Sequence, residues 1–142
     1  MFKKKITYFD FNGTERKEDF YFHLSVPEVT RLEARLGDKT IETYAFELKA
    51  NQDSEAMIKF IEDLVLSSFG KKSDDGKSFL KTPEIRRDFE YSQAYAELFE
   101  ELFTEPDAAQ KFATGIAMQT KKMAPADIKK KNSLLRFKKP GL

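Results

Sequence analysis

The first 24 residues alternate between apolar and polar positions, as β-strands with one buried face do. Residues 6–11 are rich in β-branched and aromatic side chains, and a return segment places three apolar side chains on one face, namely Phe20, Phe22 and Leu24. Between the two segments lies Asn12-Gly13, whose residues both tolerate the positive φ of a two-residue type I′ turn. The pattern therefore predicts an N-terminal β-hairpin over residues 1–24.

From residue 25 onwards the apolar positions recur at helical spacing. Helix starts are predicted at a capping box formed by Ser25 and Glu28, at Asp53 or Asn51, at Thr82-Pro83 and at Ser92. Helix ends are predicted at Gly37 and Gly70. Residues 71–78 are polar and are predicted to form a loop. Residues 25–118 are predicted to form a helical bundle in the same domain as the hairpin. The predicted fold class is α+β, mostly helical, with an N-terminal β-hairpin followed by a bundle of five or six short helices.

The most strongly patterned helix follows Ser92. Phe99 and Phe103 lie on its apolar stripe, and three glutamates lie on its polar side, namely Glu97, Glu100 and Glu101. Core packing is the ordinary reason for such a stripe, and a groove for an amphipathic partner helix is the alternative. Phe99 and Phe103 are therefore candidate partner-binding residues.

Charge is distributed unevenly along the chain. Residues 119–142 hold eight basic side chains and one acidic side chain, a net charge of +7, so residues 1–118 carry −6 of the overall +1. We expect residues 119–142 to form a basic, mobile C-terminal tail. Its candidate partner-binding residues are Lys129, Lys130, Lys131, Arg136, Phe137 and Lys138. Such a tail suits either an acidic protein surface or nucleic acid, but an acidic body repels a duplex and disfavours nucleic acid.

The residues that carry catalysis are scarce in this chain. It has no cysteine and one histidine, and it has no phosphate-binding loop and no nucleophile elbow. His23 lies within a predicted strand without an evident orienting partner. Ser73-Asp74-Asp75-Gly76 is similar to part of a calcium-binding loop, but the positive charges of the flanking lysines oppose the binding of a cation. We predict no catalytic site, no metal and no cofactor. No apolar run is long enough for a signal peptide or a membrane span, so we expect a cytoplasmic protein without membrane contact.

Three motifs, in this order and spacing, make the chain resemble the tail assembly chaperones of long-tailed bacteriophages. The motifs are the hairpin over residues 6–24 with Glu18-Asp19-Phe20-Tyr21-Phe22, then Phe69-Gly70-Lys71-Lys72-Ser73-Asp74-Asp75-Gly76-Lys77-Ser78-Phe79, and then Ser92-Gln93-Ala94-Tyr95-Ala96-Glu97-Leu98-Phe99. The resemblance covers residues from about 5 to 127. Residues 128–142 fall outside it and are either the natural end of the chain, the start of a frameshift-extended form, or vector sequence.

The resemblance implies a function without catalysis. Such chaperones hold the tape measure protein, a long and largely helical chain, in soluble form while tail tube subunits polymerise around it. They act in the host cytoplasm and are not expected in the mature virion. The open edges of the hairpin and the Phe-rich helices further predict self-association. The alternative function is that of a small phage nucleic-acid-associated protein acting through its basic C-terminal tail.

Overall fold

A computed structural model describes residues 1–123 of the chain. Its elements are β1 (Phe2–Phe9), β2 (Glu15–Phe22), α1 (Val26–Arg35), α2 (Ile41–Asn51), α3 (Ser54–Ser68), β3 (Phe69–Lys72), β4 (Phe79–Leu80), α4 (Pro83–Glu90), α5 (Gln93–Thr104) and α6 (Ala108–Met123). An N-terminal antiparallel hairpin followed by six helices confirms the predicted α+β, mostly helical class.

The N-terminal hairpin is confirmed, but its turn differs from the predicted one. Strands β1 and β2 pair in antiparallel register up to Phe9 and Glu15. The Gly13 amide donates to the Asp10 carbonyl at 2.9 Å, and within the loop Gly13 alone has a positive φ, of 79°. This is a three-residue loop rather than the two-residue type I′ turn expected at Asn12-Gly13. The wider loop forms because the Asp10 carboxylate accepts the amides of Asn12 and Thr14, both at 2.9 Å.

A second hairpin corrects the prediction of a helix stop at Gly70 and a loop over residues 71–78. Helix α3 passes directly into β3 at Phe69, and β3 pairs with β4. The sheet order is β1-β2-β3-β4, with β3 joined to β2 at only two residue pairs. A Cβ at Gly70 would lie 2.6 Å from the Leu80 carbonyl oxygen, so glycine serves the close approach of β4 there.

The core centres on Phe22, which is fully buried. Its ring contacts Phe69, Phe89 and Phe112 at centroid distances of 5.8, 5.9 and 5.1 Å. These contacts bring β3, α4 and α6 onto one side of the hairpin. The predicted inward face is confirmed, because Phe22 and Leu24 are buried and Phe20 packs against the core.

Local capping signals set most helix boundaries as predicted. The Ser25 hydroxyl accepts the Glu28 amide and the Glu28 carboxylate accepts the Ser25 amide, which completes the capping box. The other predicted caps are also present, at Asp53, Thr82 and Ser92. Helix α6 runs past the expected bundle boundary at residue 118, because buried Thr120 donates its hydroxyl to the Leu24 carbonyl at 2.7 Å. Residues 124–142 of the predicted tail lie outside the described residues.

The hairpin turn yields a stability prediction. Replacing Gly13 by Val is expected to lower the free energy of unfolding by about 1 kcal/mol or more, because a β-branched residue resists positive φ. No atom lies within 4 Å of a Cβ at this position, so the cost is conformational rather than a clash. Gly13→Asn is the matched control, since asparagine adopts positive φ more readily. Urea unfolding measures both variants, and equal stabilities for the Gly13→Val and Gly13→Asn chains would contradict this assignment.

Candidate partner-binding surfaces

His23, the one histidine of the chain, lies in an apolar environment without an orienting partner in the described part of the chain. His23 packs edge-on against Phe79, and its Nδ1 is buried without a hydrogen-bond partner among the described residues. Burial, followed by the positive charges of the N-terminus and Lys81, lowers the pKa of His23 and keeps the ring neutral. No cluster of possible metal ligands occurs in residues 1–123. Over the same residues, no helix combines the length and the apolar character needed to cross a membrane.

The aromatic stripe of α5 lies beside the buried side of the helix rather than on it. Leu98 and Leu102 are buried, Phe99 packs partly against the core, and Phe103 is 39% exposed. The rings of Phe99 and Phe103 stack at 5.9 Å. The structure therefore brings the two predicted residues together, with Phe103 the more accessible of the pair. That they contact a partner stays a prediction.

The glutamates of α5 line a cleft of about 410 Å³ against β1. The acidic side chains on this cleft are Glu97, Glu100, Glu101 and Glu105. Glu101 forms an ion pair with Lys4 on β1. The cleft thus carries four acidic side chains and one basic side chain, Lys5. The six predicted tail residues lie outside the described part of the chain, namely Lys129, Lys130, Lys131, Arg136, Phe137 and Lys138.

A groove of about 660 Å³ lies between α1 and α3, and sequence reasoning did not find it. We name it the α1–α3 groove. Its apolar lining is Leu24, Leu32, Leu36, Tyr44, Phe60 and Leu64. The groove exists because α1 packs lightly: none of its residues is buried, although its apolar side chains recur at helical spacing. The sequence signal was the short apolar stripe of α1, which is narrower than that of the core helices.

Four basic side chains surround the α1–α3 groove, and we name them the basic rim. They are Arg31 and Arg35 from α1, Lys59 from α3 and Arg86 from α4. Within residues 1–123, none of them forms a hydrogen bond or an ion pair. Of the two acidic residues on the groove, Glu28 is already engaged by Lys81, whose ammonium group contacts both carboxylate oxygens at 2.9 Å. Asp63 is the other.

Helix α1 is held in place at its two ends. At the N-terminal end, Glu28 belongs to both the capping box and the ion pair with Lys81. Burial by itself raises the pKa of Glu28, but the Ser25 amide and the Lys81 ammonium group outweigh it, so the pKa lies below its usual value. Towards the other end, the Glu33 carboxylate accepts the Ile41 amide at 3.1 Å. These polar contacts act together with Val29, Leu32 and Leu36, which pack partly buried against the core.

A groove between helices that is lined partly by apolar side chains is a common feature of proteins that bind helical segments of other proteins. A family model described as phage tail assembly chaperone matches residues 1–134. The chain belongs to the phage tail assembly chaperone family, which is not a class of enzymes. No curated protein and no solved structure matches the chain. The family match extends beyond residue 127, where the resemblance was expected to end, and includes Lys129, Lys130 and Lys131.

The pKa of Glu28 yields a pH-dependent prediction. Because the folded-state pKa lies below the usual value of 4.5, Glu28 adds stability above about pH 4.5, which is lost as pH falls through the folded-state pKa. The Glu28→Gln variant should therefore be less stable than wild type near neutral pH, and the difference should shrink on acidification. Glu84→Gln is the control, since Glu84 also lies in the first turn of a helix, but its side chain has no hydrogen bond or ion pair among the described residues. Thermal unfolding from about pH 7 to about pH 3 tests this, and a pH-independent difference contradicts it.

Proposed function

We propose that this chain binds the tape measure protein of a phage tail, keeps it soluble, and helps recruit tail tube subunits around it. It acts in the cytoplasm of the host, without catalysis, and leaves before the virion matures. The observation that carries this proposal is the family match over residues 1–134. The α1–α3 groove supports it, because a largely helical client needs an apolar surface on which to dock.

The size of the groove favours weak, reversible binding. Burying one side chain of Leu or Phe size contributes roughly 1.5–3 kcal/mol. Association costs about 4–15 kcal/mol in lost translational and rotational freedom. A single client helix with three anchors therefore binds weakly, and several sites acting along one long client raise the occupancy. Weak individual contacts suit a chaperone that must release its client to the assembling tube.

Further contacts extend beyond the groove. Phe103, with Phe99 stacked behind it, offers an exposed aromatic surface on α5. Positive charge is added by Lys129, Lys130, Lys131, Arg136 and Lys138, and Phe137 adds an aromatic side chain among them. The charge increases the rate of encounter with acidic surfaces more than it increases affinity. We assign these residues to partner binding as a second contact region.

We also propose self-association through the tip of the N-terminal hairpin. Phe9 and Phe11 are 60% and 78% exposed, which is unusual for side chains of this size. Strand β1 leaves its outer edge unpaired in the described sheet, but Lys3 and Lys5 along it oppose edge-to-edge pairing. The apolar tip, rather than the strand edge, is therefore the contact between copies.

Co-expression tests the chaperone function. We expect the tape measure protein encoded by the same phage to become more soluble when it is produced with this chain, and the two to co-purify. Phe103→Glu should reduce the co-purified amount, whereas Met118→Glu, at an exposed position of α6, should not. A tape measure protein that stays insoluble, with no binding at low salt, contradicts the proposal. Salt-sensitive binding of the chain to duplex DNA in that case favours the nucleic-acid alternative.

Sedimentation equilibrium tests self-association. The wild-type chain should show a mass that rises with concentration, and Phe11→Ser should shift the equilibrium towards monomer because it removes exposed apolar area from the tip. Tyr91→Ser is the matched control, since Tyr91 is 73% exposed but belongs to the end of α4 rather than to the hairpin loop. A wild-type chain that stays monomeric at high concentration, or equal behaviour of the two variants, contradicts the assignment.

A further inference from the structure

We propose that the α1–α3 groove selects an amphipathic helix whose apolar stripe is flanked by acidic side chains. The inference rests on the proposed function only in taking this helix from the tape measure protein. Beyond that function, we identify the α1–α3 groove as the binding site and the acidic flanks of the helix as the feature that the groove recognises.

The lining of the groove requires an apolar stripe on the partner. Leu32 and Leu36 line the α1 side, and Phe60 and Leu64 line the α3 side. Buried apolar contacts of this kind are made by residues at positions i, i+3, i+4 and i+7 of a partner helix. Phe60 and Leu64 are already buried at the base of the groove, so Leu32 and Leu36, which are partly buried, are the side chains that a partner covers. A nucleic acid brings phosphate charge to such a surface but no apolar stripe to cover these two leucines.

The basic rim requires acidic flanks on the same partner. Arg31 and Arg35 are four residues apart on α1, so their charges face each other on one side of the helix and repel. Lys59 and Arg86 add two further positive charges from α3 and α4, and none of the four forms an ion pair in the described part of the chain. Asp63 and the engaged Glu28 are the acidic side chains on the groove, so basic groups outnumber them. Glutamates beside the stripe of a bound helix provide the missing counter-charges.

The charge of the surrounding body sharpens this preference. Residues 1–118 carry a net charge of −6, and the glutamates of α5 lie on a different cleft, against β1. An acidic-flanked helix is therefore repelled from most of the body and attracted to the basic rim. Complementary and opposing charges on one molecule direct a partner to a single site more than they raise its affinity.

Two synthetic helices that differ only in their flanks test the inference. Both carry leucines at positions i, i+3, i+4 and i+7, and one has glutamates beside the stripe where the other has lysines. Fluorescence anisotropy with the full chain should show at least about tenfold tighter binding of the glutamate helix, with the preference shrinking as salt rises. Equal affinities, or a preference for the lysine helix, overturn the inference.

Charge reversal on the rim provides the matched variants. Arg31→Glu combined with Arg35→Glu should reverse the preference towards the lysine helix, because both positions are exposed and the lining is unchanged. Lys3→Glu combined with Lys5→Glu makes the same charge change on β1, outside the groove, and should leave the preference intact. If both double variants change the preference between the two helices by the same amount, the preference depends on net charge alone. That result overturns the assignment of the groove as the binding site.

Co-purification with the tape measure protein separates this inference from the proposed function. If that protein co-purifies equally with wild type and with the Arg31→Glu, Arg35→Glu chain, the groove is not the site, although the chaperone function stands. If the glutamate helix binds the groove but no tape measure protein co-purifies with wild type, the inference stands and the proposed client is wrong. Loss of co-purification in the rim variant alone supports both.

Discussion

The burial of Phe22 is the contact on which the rest of the fold depends. This strand residue receives aromatic rings from β3, α4 and α6, and Phe69 stacks on Phe89 at 4.0 Å beside it. Burying a phenylalanine stabilises a fold by roughly 1.5–3 kcal/mol, and each well-oriented ring pair adds about 0.5–1.5 kcal/mol. An isolated hairpin is marginal in water. The hairpin and the helices therefore stabilise one another, since the Phe22 ring packs against residues of both the sheet and the helices.

This arrangement leaves α1 at the edge of the core, with none of its residues fully buried. None of the rings on Phe22 comes from α1, which packs only partly buried side chains against the core. Polar contacts at its two ends join it to Lys81, before α4, and to Ile41, at the start of α2. An element with few buried apolar contacts opens more easily than the core does. The α1–α3 groove is thus bounded by one rigid wall and one lightly packed wall. In the function proposed above, such a wall allows the groove to adapt to different client helices and to release them.

The parts of the fold that the sequence predicted are those that depend on neighbouring residues. Ser25 and Glu28 form their capping box with each other, and Asp53, Thr82 and Ser92 cap amides three residues ahead. The missed parts depend on distant partners. Strand β3 exists because Phe69 pairs with Phe22, and the groove appears only when helices from separate parts of the chain converge. The prediction of a two-residue turn at Asn12-Gly13 was wrong because Asp10, which lies outside that pair, accepts two amides of the loop.

We propose that α1 is a lightly held wall of the site at which client helices bind. Hydrogen–deuterium exchange of the full chain, free and bound to an acidic-flanked amphipathic helix, measures this directly. The α1 amides should exchange faster than those of α6 in the free chain, because α6 is anchored by Phe112 and Thr120. They should slow on binding, together with the α3 amides near Phe60 and Leu64. An α1 as protected as α6 in the free chain, or slowing confined to other elements, contradicts the claim.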